Sequence, residues 1–84
     1  MKIEIVDIAV IGGRTVVVAD TDGYEPFPGD VLGRGGDRFM VVGVEMVTPD
    51  SHAQNRFGFA LETVRAKRPL GKGDFLEVVA RDAR

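Results

Sequence analysis

The sequence predicts an all-β chain, folded as a small closed antiparallel β-barrel of six to seven strands, and three observations lead there. Apolar residues gather in short runs rich in β-branched and aromatic side chains, each run broken by Gly, Pro or Asp. No window of about a dozen residues carries the i, i+3, i+4, i+7 stripe of an amphipathic helix between caps. The chain has 84 residues, about half the roughly 150 of a typical domain, so residues 1–84 form one domain with one small core. A sheet of that size hides its edges by closing on itself.

The elements follow in order. Residues 2–11 read as a first strand in which Ile3 and Ile5 share one phase and Val6, Ile8 and Val10 the other. That switch predicts a β-bulge at Ile5-Val6, or a strand leaving one partner for another. Gly12-Gly13 supplies the positive φ of a two-residue hairpin turn, and residues 14–20 return as the second strand. Residues 21–29 (TDGYEPFPG) concentrate turn formers, and Pro26 and Pro28 lack the backbone donor a central strand needs, so a loop crosses here. Residues 30–32 make a short strand and 33–37 a mobile turn. Residues 38–47 form a long strand with Met40, Val42, Val44 and Met46 on one face, bent at Gly43. The polar segment 48–55 reads as an exposed loop with room for one helical turn. Phe57, Phe59 and Leu61 alternate with Gly58, Ala60 and Glu62 in the next strand; residues 65–72 then lead to a last strand at 74–80.

Composition narrows the function classes. Without cysteine there are no disulfides, thiolate metal sites or cysteine nucleophiles. No stretch approaches the roughly 18 apolar residues of a membrane span, and Glu4 interrupts any signal-peptide core, so a cytoplasmic location away from membranes is expected. The net charge of −2 argues against a general polyanion binder. The charge is uneven, however. Residues 1–42 hold four cations and seven carboxylates, whereas 43–84 hold seven and six, with the positive density at Arg65-Ala66-Lys67-Arg68.

Catalytic constellations are thin. His52 is the single histidine, and Ser51 beside it makes no triad, since triad groups meet in space and not as chain neighbours. The expectation is no enzyme, no metal site and no cofactor. Asp20-Thr21-Asp22-Gly23 echoes the start of a calcium loop but lacks the later Gly and the bidentate Glu, which leaves an Asp-Gly turn. Residues 56–61 (RFGFAL) resemble the aromatic strand of RNA-recognition modules, yet that fold needs two helices, so Phe57 and Phe59 are assigned to the core. Arg34-Gly35-Gly36 is one copy of a repeat that binds RNA only in multiples, and a hairpin turn accounts for it. Glu45 and Glu62 fall at outward phases and can pair with basic neighbours across the sheet.

Four segments, in order and with compatible spacing over roughly residues 4–78, carry a family resemblance. They are 6–18 (VDIAVIGGRTVVV), 28–32 (PGDVL), 42–46 (VGVEM), and 57–61 (FGFAL) with 70–76 (LGKGDFL). This order resembles the second domain, the β-barrel, of translational GTPases such as elongation factor Tu. The phosphate-binding motif of the GTPase domain itself, Gly-x-x-x-x-Gly-Lys-Ser/Thr, does not occur. The resemblance implies a β-barrel that contacts RNA or a ribonucleoprotein surface.

The expected function is therefore a non-catalytic binding module with Asn55, Arg56, Arg65, Lys67 and Arg68 as contact residues. Loop cations of this kind position phosphates or carboxylates. The alternative is a structural or protein-interaction module that self-associates through exposed Tyr24, Phe27 and Met46.

Overall fold

The structure is a computed structural model that describes residues 2–45 and 56–81. Six strands account for most of them: β1 (Lys2–Ile11), β2 (Arg14–Asp20), β3 (Val31–Arg34), β4 (Asp37–Glu45), β5 (Arg56–Arg65) and β6 (Phe75–Ala80). They close into a barrel in the order β1-β2-β5-β4-β3-β6, with every pairing antiparallel. There is no helix among the described residues, and so none long and apolar enough to cross a membrane.

The phase switch in β1 is a β-bulge. Ile5 pairs with Ala19 but Asp7 with Val18, so Val6 is the extra residue. The same strand is also paired along its other edge. Residues 2–4 pair with β6, and above them Ile5 exchanges backbone hydrogen bonds with Gly73 and Asp74 of the β5–β6 loop. The bulge keeps Ile3 and Ile5 in the core and still lets Ile8 pack against it from the opposite phase. At the top of this hairpin Gly12 (φ 59°) and Gly13 (φ 78°) both lie in the left-handed region, the conformation of a type I′ turn.

In β4 the register shifts between Val41 and Gly43, at the bend that Gly43 predicts. Phe39 and Val41 point inward and Met40 outward, so the Met40 phase is the outer face over this part of the strand. Phe59 and Leu61 of β5 complete the core with Val17, Ala19, Leu32 and Leu76, while Phe57 packs against its margin. The expected core packing thus holds for Phe59, and Phe57 is partly buried against the core. Each such side chain fully buried contributes about 1.5–3 kcal/mol.

The strand boundaries around the expected 33–37 turn differ from the sequence reading. Gly33 and Arg34 extend β3 and Asp37 opens β4, which confines the turn to Gly35-Gly36. The expected segment 33–37 was too long because glycine content hid a position where glycine serves packing. Gly33 sits between β4 and β6, and a Cβ there would lie 2.6 Å from Val79 Cγ2 and 2.9 Å from Arg38 Nη1. The arginine tip can move, but the β-branched valine is stiff. Gly33→Ala is expected to lower stability by about 1–3 kcal/mol in urea unfolding, with part of the loss recovered in Gly33→Ala/Val79→Ala. Equal losses in the two would place the strain elsewhere.

Burial differs at Tyr24. Expected on the surface, it is buried in the core, where its hydroxyl donates a 2.5 Å hydrogen bond to Asp30 Oδ2. The loop between β2 and β3 folds back over one end of the barrel, and Thr21 and Asp30 are buried with it. Asp20-Thr21-Asp22-Gly23 is a turn, in which Asp20 Oδ1 accepts from the Asp22 amide and Thr21 O from the Tyr24 amide. Ser51, His52, Met46 and the segment 48–55 lie outside the described residues.

Candidate functional site

Because neighbouring strands alternate in direction, the connections sort into two ends. One end carries the β1–β2 turn at 12–13, the β3–β4 turn at 35–36 and the β5–β6 loop at 66–74. The other carries the β2–β3 loop, the start of β1 at Lys2 and the end of β6 at Ala80. This sorting separates the contact residues expected from sequence. Arg65, Lys67 and Arg68 lie at the first end, whereas Arg56 begins β5 opposite Asp20, on the order of 30 Å away along the strand at about 3.3 Å per residue. Asn55 lies outside the described residues. Arg56 therefore does not join the loop cations, because a ten-residue strand spans the barrel between them.

The same sorting brings in cations that sequence reasoning missed. Segments 11–15, 34–38 and 62–74 together hold seven cations (Arg14, Arg34, Arg38, Arg65, Lys67, Arg68, Lys72) against three carboxylates (Asp37, Glu62, Asp74). The rest of the sequence holds four cations against ten carboxylates. A chain of net charge −2 thus has a strongly cationic end. The available signal was the recurrence of Arg beside each Gly-rich turn, legible only once those turns are known to share an end.

Arg34 organises this end. Its side chain is 11% exposed and reaches two carboxylates, with Nη2 2.7 Å from Asp37 Oδ2 and Nη1 2.6 Å from Asp74 Oδ2. Its guanidinium also donates to the Arg68 carbonyl at 2.6 Å and to the Pro69 carbonyl at 3.3 Å, and stacks over the Phe39 ring. Asp37 in turn accepts from the Lys67 amide at 3.0 Å, and Asp74 from the Gly71 amide at 2.8 Å. Five planar donors suit this fork, which a lysine could not reproduce. The Arg34 side chain, within the segment expected to be a mobile turn, is therefore tied to the β5–β6 loop.

These bonds set the carboxylates' acidity. The hydrogen bond from Arg34, helped by the Lys67 amide, holds the Asp37 carboxyl below the usual carboxylate range against a smaller opposing effect of burial. For Asp74 the Gly71 amide has the largest effect, with Arg34 adding to it, and the direction is the same.

Two of the three carboxylates are thus engaged inside the structure, and the Arg65, Lys67, Arg68 and Lys72 side chains stand exposed around them. Arg65 Nε and Arg38 Nη1 donate to carbonyls of the β3–β4 turn, and Arg68 stays 3.8 Å from Asp74. Glu62 is exposed and paired in register with Met40, so no cation faces it across the β4 ladder. Beside the cations lie the most exposed large apolar side chains described, Val10 (72%), Ile11 (64%) and Val64 (60%). Between the β1–β2 hairpin and Pro69-Leu70 opens a cleft of about 90 Å³, walled by Ile8, Val10, Phe39 and Leu61. Small-molecule sites typically measure about 300–1,000 Å³, so this cleft has room for a side chain and not for a cofactor.

No protein-family model, curated protein or solved structure matches the chain.

Proposed function

We propose that the chain is a non-catalytic binding module whose cationic end contacts the phosphates of RNA or of a ribonucleoprotein surface. The observation that carries this reading is the convergence of seven cations on one end of a barrel whose remaining charge is acidic. The Arg34 fork supports it further. By clamping the backbone of residues 67–71 through Asp37, Asp74 and two carbonyls, it holds the loop before a partner arrives, which reduces the ordering cost of binding. Phosphate contacts from such a loop position a nucleic acid without reading its sequence. The resemblance of the sequence to the translation-factor barrel points to the same partner class.

Bulk RNA titrated against the purified chain and followed by light scattering after size exclusion tests this. Binding should weaken steeply as salt rises, because each phosphate contact releases counterions. Lys67→Glu/Arg68→Glu should weaken it at least about tenfold and lower the salt slope by about 2, leaving the thermal midpoint close to the parent's. Unchanged binding in that variant would remove the loop from the interface.

A further inference from the structure

The cationic end has a complement on the same molecule. At the opposite end, the β2–β3 loop carries exposed Asp22 and Glu25, with Phe27 42% exposed two residues on. Glu4 and Asp20, paired in register, adjoin the base of that loop. One end thus offers cations around a small apolar cleft, and the other offers carboxylates beside an aromatic ring. The cleft's size suits one side chain, and both charge and apolarity match across the two ends.

We propose that the barrel self-associates head to tail, the β2–β3 loop of one copy docking on the cationic end of the next. Glu25 and Asp22 meet Lys67 and Arg68, and Phe27 enters the cleft between Val10 and Pro69-Leu70. Because the two surfaces lie at opposite ends, one contact leaves both outer ends unsatisfied. The assembly therefore grows into a ring or an open filament and does not stop at a two-fold dimer. The proposal rests on the same cationic end as the RNA reading, so the two occupants exclude each other and RNA disperses the assembly.

The test uses two charge variants, Lys67→Glu/Arg68→Glu for the cationic end and Asp22→Asn/Glu25→Gln for the loop, with thermal melts to verify folding. In low salt the parent's mass should rise with concentration to multiples of 9.1 kDa and fall back as salt is added. Each variant alone should stay monomeric. Mixed in equal amounts they should form a dimer and no more, since each retains one competent surface. A parent that is monomeric up to about 1 mM in low salt, a dimer that both variants preserve, or a mixture that stays monomeric would each overturn the proposal. Should either variant fail to fold, the parent's salt and concentration series decides alone. The loop variant keeps the cationic end, so its RNA binding separates failure of this proposal from failure of the RNA reading.

Discussion

Tyr24→Ala is expected to cost about 3–5 kcal/mol, the cavity cost of truncating a buried aromatic ring. A domain of this length has roughly 4–13 kcal/mol in total at about 0.05–0.15 kcal/mol per residue, so this one change brings the barrel near unfolding at 25 °C. The ring belongs to the core cluster, and the hydroxyl satisfies a carboxylate buried with it. Both contributions can be separated. Tyr24→Phe keeps the ring and removes only the donor to Asp30, for an expected loss of about 1–3 kcal/mol. Urea unfolding of the two variants measures each part. A Tyr24→Phe chain as stable as the parent would show that the hydroxyl makes no net contribution, and the ring would then account for the whole effect.

Arg34→Met is expected to cost about 2–4 kcal/mol, slightly less than breaking a fully buried ion pair because its side chain keeps some contact with water. The apolar stem still covers Phe39, but Asp37 and Asp74 lose their shared cation and two loop carbonyls lose their donor. Arg34→Lys should recover only part of the loss, since one ammonium cannot serve both carboxylates and both carbonyls. The pH dependence gives an independent readout. Both carboxyls are held below their ordinary value of 3.8, so in acid the unfolded chain binds protons more readily than the folded one. Their contribution is fully present above that value and is lost as pH falls through the lower, folded-state values. Thermal midpoints should therefore be level from neutral pH to about 5 and drop below about 4. In Arg34→Met the drop should be shallower, because the guanidinium no longer favours the ionised forms. An identical acid profile in parent and variant would rule out Arg34 as the source of the shift.

The β-elements were legible from the sequence for local reasons. A two-residue period, a glycine pair at 12–13, two prolines at 26 and 28 and a phase slip at Ile5-Val6 each act within a few residues of chain, and each reappears as strand, turn, loop or bulge. Barrel closure also follows from local facts, given so many short strands and so few residues to cover an open edge. The candidate site was only partly legible. The run Arg65 to Arg68 is visible as consecutive charge, but Arg14, Arg34 and Arg38 are 30 to 54 positions from Arg68.

What the sequence determined by itself is the pattern of apolar phases and turn residues, and with it an all-β barrel of about this many strands. What only the tertiary structure decided is which polar residues face solvent and which charges share an end. Tyr24 sits among turn formers, where composition places it outside, yet the folded loop turns it inward to meet Asp30. Arg34 looks like a hairpin charge, yet the β3–β6 pairing sets it against Asp74, 40 positions along the chain. Side-chain periodicity follows from backbone geometry within one strand, whereas charge convergence and polar burial depend on strand order. Strand order is set by long-range pairing that no short stretch of sequence encodes.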